Sequence, residues 1–158
     1  DIPGVLVSNA IDNAVNALQA LSLAMTSVDI KSAPAYPIEN IDPLPMSVAY
    51  LAAGNLMKIN YGMLEIFPQI NIEFHFSRLN LKQAYQQINA VAYEFSQRLS
   101  GDPTLSGAVD TLFSADAGVP FAVRPYNWGR PQGSNVDFFT QMLIFEIVVK
   151  IVESPITP

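Results

Sequence analysis

The sequence predicts a single-domain α+β fold: a mostly antiparallel β-sheet flanked by an N-terminal helix and a central helix. Three observations predict it. Two stretches carry apolar residues at three- and four-residue spacing, the segments between and after them alternate or run apolar on both faces, and the length of 158 residues suits one domain with a real core. Helices and strands fall in separate runs instead of alternating regularly, which favours α+β over a doubly wound α/β sheet.

The first helix is read from Ile11, Ala14, Leu18, Leu21 and Met25, which line up one apolar stripe, with Ser8 or Asn9 placed to cap its start. Lys31 to Pro45 follows as an extended, irregular passage, because Pro34, Pro37, Pro43 and Pro45 fix the backbone and remove donors. Met46 to Ala52 reads as a strand, Gly54-Asn55 as a turn, and Leu56 to Phe67 as one or two further extended pieces broken near Gly62. Residues 54–67 form either a β-arm that reaches onto a neighbour or a bent pair of core strands, which makes Met57, Ile59 and Tyr61 candidate partner-interface residues.

Ile70, Ile72, Phe74 and Phe76 alternate with Asn71, Glu73, His75 and Ser77, the pattern of a half-buried strand. Asn80 then caps the central helix, with Gln83 three residues on, and Leu81, Ala84, Ile88, Ala92, Phe95 and Leu99 form its apolar stripe up to Gly101 and Pro103. Pro103 to Phe113 allows a short helix with Leu105, Val109 and Leu112 on one side. Val119 to Arg124 reads as a strand that leads into a loop of turn formers, Pro125 to Asn135. Phe138 to Val152 is a long final strand. It is apolar on both faces, which places it centrally, with helices or neighbours over each side.

Composition narrows the function. Charged residues are 14% of the chain, against about 25% in ordinary soluble domains, while hydrophobic residues are 50% and mean hydropathy is +0.25. The longest apolar stretch, Met142 to Val149, already contains Glu146 and falls short of the ~20 residues of a membrane span. Surface covered by neighbouring chains is the remaining explanation. The start, Asp-Ile-Pro-Gly-Val-Leu-Val, lacks a basic region and a cleavage site, and its missing Met is expected of processing or of disorder in the first few residues. A net charge of −6, with eight basic residues scattered singly, argues against wrapping nucleic acid and suits a wall that lets DNA slide past.

Little in the chain points to catalysis. There is no cysteine and one histidine, His75. Glu73 and His75 share a strand face and supply two metal ligands at most, with no third nearby, so a solvated polar face is expected. A spatially assembled Ser-His-Asp triad stays open, although no G-x-S-x-G elbow is present. Asp102, Asp110 and Asp116 suit capping and turns, and Gly129 and Gly133 lack the lysine and helix of a phosphate loop. No catalytic, cofactor-binding or metal-binding residue is assigned. In the 125–135 loop, Tyr126, Trp128 and Arg130 have the composition of an interface anchor, unless Trp128 folds back into its own core.

The element order resembles the tail terminator family of long-tailed bacteriophages over nearly the whole chain. The N-terminal helix, the passage Pro43-Leu44-Pro45-Met46-Ser47-Val48, the strand-turn-helix from Ile70 to Leu99, the segment Asp102-Pro103-Thr104-Leu105-Ser106-Gly107-Ala108-Val109-Asp110 and the last strand after an aromatic loop carry the likeness. Ser106 stands where that family often has a glycine. The resemblance implies a structural virion protein of the neck, assembled in the host cytoplasm, without catalytic residues or cofactor. It would form a homohexameric ring that caps the tail tube protein, stops polymerisation and offers a surface to a head-completion or neck protein, with DNA passing through its channel. Three rivals stand beside it: another tail or neck component such as a tube or head-completion protein, a small α+β enzyme with a ligand pocket near His75, and a non-viral adaptor that docks through Trp128.

Overall fold

A computed structural model describes residues 9–34, 43–60, 63–112, 121–129 and 140–153, of which 53–60 and 121–129 are described by their backbone. Helix α1 spans Ala10–Leu23, and Asn9 caps it by accepting from the Asp12 N–H at 2.8 Å. Ser32, in the proline-rich passage, lies parallel to the start of β1 (Met46–Asn60), where Lys31 N–H donates to Pro45 and Ser47 N–H to Ser32, both at 2.9 Å. Strand β2 (Met63–Phe76) pairs antiparallel with β1, and Asn80, accepting from Gln83 N–H, starts α2 (Leu81–Gly101). Strands β3 (Thr111–Leu112), β4 (Phe121–Gly129) and β5 (Thr140–Glu153) complete the described elements.

The sheet is antiparallel throughout, in the order β1-β2-β5, with β3 and β4 both on the far side of β5. The two-sided apolar run is thus explained, because β5 has strands on both edges over most of its length, up to Lys150. Alternate residues Ile70, Ile72, Phe74 and Phe76 of β2 and Leu143, Phe145, Ile147, Val149 and Ile151 of β5 face the helices. From above, α1 adds Ala14, Val15 and Leu18, and α2 adds Ala84, Ile88, Val91, Phe95 and Leu99. At the centre Phe74, Phe95 and Phe145 meet edge to face, with ring centroids 4.8–5.8 Å apart. Each buried ring contributes about 1.5–3 kcal/mol by burial, and each such pair about 0.5–1.5 kcal/mol more.

The fold class is as the sequence predicts, and several local expectations are corrected. Gly54-Asn55 is no turn. Strand β1 continues past it to Asn60, with its register to β2 shifting between Leu51 and Ala53 and again between Ala53 and Leu56. The glycine marks a bulge, its usual meaning inside a strand. Two shifts in succession restore the alternation, so Met57 pairs with Ile66 as Leu51 pairs with Ile70. Residues 54–67 are therefore the distal part of the β1–β2 hairpin, and on its β2 side the pairing to β5 runs on to Leu64 opposite Glu153. Leu81, assigned to the buried stripe of α2, is 44% exposed, and Val91 is buried instead.

The short helix expected after Pro103 is replaced by turns. Leu105, Ser106 and Gly107 have φ of 49°, 57° and 88°, a left-handed run that a right-handed helix cannot contain. The Asp102 carboxylate holds the run by accepting from the Ser106 N–H at 2.8 Å and its hydroxyl at 3.1 Å. Leu105 and Val109 are buried all the same, because the turns point them at the core. The Pro125–Asn135 loop is corrected as well: its first five residues belong to β4, which pairs Pro125 with Leu143, Tyr126 with Met142 and Gly129 with Thr140.

A Cβ at Gly107 meets nothing within 4 Å, so a substitution there tests the backbone alone. Gly107→Ala is expected to lower the unfolding free energy by about 1 kcal/mol, read as a shift of the urea midpoint without a change in slope.

Candidate functional site

The second face of the sheet, opposite the helices, gathers side chains from three strands into one polar chain. Tyr50 of β1 donates to Glu73 Oε2, Glu73 Oε1 lies 2.9 Å from His75 Nε2, and His75 Nδ1 lies 2.5 Å from the Thr140 hydroxyl of β5. One set of protons fills every place: Thr140 O–H donates to Nδ1, Nε2–H donates to Glu73, and Tyr50 O–H donates to the second carboxylate oxygen. Tyr50 is held well above the ordinary tyrosine range, first by burial, then by its hydrogen bond to Glu73 and the charge of that carboxylate.

Glu73 and His75 share a face, as their spacing requires, but that face is not solvated. His75 and Thr140 are fully buried and Glu73 is 4% exposed, beside their cross-strand neighbours Met46, Val48 and Ile144, which are buried too. The order Thr140–His75–Glu73 is that of a nucleophile, a base and an orienting acid. With all three closed off from solvent, the arrangement ties β1, β2 and β5 together. Among the described residues no group of three or more His, Asp or Glu side chains lies close enough to hold a metal ion.

The outer surface of α2 is the second feature. Gln86, Asn89, Tyr93, Gln97 and Ser100 are exposed and follow one another at three- and four-residue spacing, so they form one stripe pointing away from the core. Lys82, exposed and four residues before Gln86, continues the same line, whereas Glu94 and Arg98 are turned to the side. Glu94 accepts from the backbone N–H of Thr26 and Ser27 at 2.8–3.1 Å, from the Ser27 hydroxyl at 2.6 Å and from Arg98 Nε at 2.7 Å. Burial works against its ionisation, but these donors outweigh it and hold the carboxyl at about 2.

Of the six interface residues expected from the sequence, Met57 and Ile59 lie in the distal part of β1, and Tyr126 and Trp128 lie in β4. Their side chains, and the whole of Tyr61 and Arg130, lie outside the described residues, as do 130–135 of the expected loop. Tyr50 and Thr140 were not foreseen, because strand register joins them to Glu73 and His75. The α2 stripe was visible in principle, since Gln83 to Tyr93 contains no charged residue.

No protein-family model matches the chain, and no curated protein matches it significantly.

Two predictions follow from these bonds. His75→Phe keeps the ring's bulk but leaves Glu73 and Thr140 without a shared partner, and is expected to cost about 2–4 kcal/mol. His75→Phe with Glu73→Leu should recover part of that loss in equilibrium unfolding. Glu94 is depressed in the fold, so its contribution is present above about pH 4.5 and is lost as pH falls toward about 2. Glu94→Gln should therefore lower stability at pH 7 and narrow to wild type in urea titrations at the acid end.

Proposed function

We propose that this chain is a structural subunit that closes into a ring, of the kind that terminates the tails of long-tailed bacteriophages, and that it catalyses no reaction. The observation that carries the proposal is the spread of exposed large apolar side chains over a charge-poor surface. Leu23 at the end of α1, Leu51 in β1, Met63 at the start of β2, and Leu79, Leu81, Tyr85 and Tyr93 in and before α2 are all 40% exposed or more. They lie on several elements and so do not make one groove. A subunit covered on several sides, by neighbours in a ring and by components above and below it, accounts for that spread.

Element order supports the same proposal, with an N-terminal helix, a proline-rich passage into a strand, a strand that leads into a central helix and a long last strand, the features on which the chain resembles the terminator family. Contacts between unlike surfaces of successive copies close only if their rotation closes, which is how such a subunit makes a ring and not a filament. In this function the ring sits in the neck of the virion. It meets the tail tube protein on one side and a head-completion protein on the other, and its acidic character (net charge −6) lets DNA pass without sticking.

Light scattering of the purified protein, with negative-stain electron microscopy of the same sample, tests this directly. Closed rings of several subunits, or rings that appear when tail tubes are added, are the expected result. Long tubes would instead mark a tube protein, and a monomer that ignores tail tubes would remove the ring.

A further inference from the structure

The two ends of β2, about 40 Å apart, carry opposite charge around an exposed apolar side chain. After its last residue the turn into α2 presents Leu79, which is 99% exposed and is fixed by its N–H donating to the Ser77 hydroxyl at 3.2 Å. Leu79 lines a cleft with Lys31 and Asp29, exposed Lys82 stands in the first turn of α2, and half-buried Arg78 precedes Leu79. Among the described residues this end therefore sets three bases against one acid. At the other end Met63, 40% exposed, opens β2, and Leu64 pairs with Glu153, the last residue of β5. Asp110 accepts from Val152 there and stays exposed, as Glu153 does, and Asp102 ends α2 next to Pro103, whose carbonyl accepts from Leu112 at 2.8 Å. Glu65 meets Lys150 at 3.8 Å and stands opposite Lys58 in the strand register, which leaves four acids against two bases.

We propose that copies of this chain join end to end, the basic end around Leu79 of one copy seating on the acidic end around Met63 of the next, an inference that rests on the ring-forming function above. The two ends suit each other and not themselves: unlike ends attract and like ends repel, so the contact is heterologous and repeats from copy to copy. Each end sets an apolar side chain among charges, the arrangement of an anchor inside a polar rim. The dipole of α2 runs the same way, with its positive N-terminus at the basic end. Lys82 stands in that first turn, which holds no acid, although the dipole there disfavours a cation. Helix stability does not account for a lysine at this place, and an acidic surface on the next copy does.

The test uses Lys82→Glu and Glu153→Lys, each alone, both in one chain, and the two single variants mixed in equal amounts. Both residues are exposed, and glutamate suits the first turn of a helix, so circular dichroism should match wild type. In light scattering over a dilution series, each single variant should need about tenfold more protein for half-assembly. The mixture should return to wild type, because a copy acidic at both ends then finds neighbours basic at both ends. The double variant, with its two ends exchanged in charge, should assemble as well. Single variants that assemble like wild type, or a mixture that stays apart, would overturn the end-to-end contact, and rings of the wild-type protein would still leave ring formation standing. A wild-type protein that stays monomeric with and without tail tubes would overturn both.

Discussion

The edge-on meeting of Phe74, Phe95 and Phe145 sets the orientation of nearly everything else. Two of the rings stand on neighbouring strands, diagonal to one another in a β2–β5 register that pairs Phe74 with Leu143 and Phe145 with Ile72, and the third descends from α2. Pinning Phe95 over the sheet fixes the rotation of α2 about its axis. Tyr93, two residues earlier, is then turned roughly 200° from the core, and Glu94 is aimed sideways at the turn after α1. One aromatic contact thus decides both which side of α2 is outermost and where its acid goes.

The other face of the sheet solves a different problem. β5 has neighbours on both edges and apolar residues on both sides, so its second face must be occupied, and part of what occupies it is polar. A buried carboxylate and imidazole are costly unless every donor and acceptor is matched. Here they are matched across strands: Tyr50 from β1, Glu73 and His75 from β2, Thr140 from β5. A slip of one residue in either pairing would turn a member to the opposite face and leave the rest unsatisfied. The apolar rows of β2 and β5 would tolerate a shift of two residues far better, since each offers another aliphatic or aromatic side chain at that spacing. The polar chain therefore adds register to a sheet whose hydrophobic pattern alone is repetitive.

How much of this is legible in the sequence depends on whether the deciding interaction is local. The caps at Asn9 and Asn80, the helix stripes and the alternation of β2 are set by residues within a turn or two of each other, and they can be read directly. The central place of β5 is also readable, because a strand with apolar residues on both faces is one with neighbours on its edges and cover on each side. Gly54 could be read as a break but not as a bulge, since a bulge exists only against the partner strand. The turn at 103–110 misleads for a related reason. Leu105 and Val109 have helical spacing, and what overrides it is the Asp102 carboxylate bonding to Ser106, a local competitor whose strength the pattern does not display. The buried chain was half legible: Glu73 and His75 were seen to share a face, while Tyr50 and Thr140 come from strands whose register is not written in either segment.

The placement of charge links the fold to the proposed assembly. Acidic residues outnumber basic ones by 14 to 8, yet many of the described carboxylates are committed inside the chain. Asp12 accepts from Asn9, Glu73 bonds Tyr50 and His75, Glu94 holds Thr26 and Ser27, Asp102 holds Ser106, and Asp110 accepts from the Val152 N–H at 2.6 Å. Each such bond stabilises a turn, a cap or a strand junction, and of these acids only Glu73 is buried while Asp110 stays exposed. The chain as a whole is low in charge, and many of its acids already have a donor of their own chain beside them. For a lone acidic protein that is a poor defence against self-association, because like charges exposed all round are what keeps copies apart. For a subunit that must meet identical acidic copies edge to edge, the same distribution removes the main electrostatic obstacle while leaving the net negative charge to act at longer range on DNA.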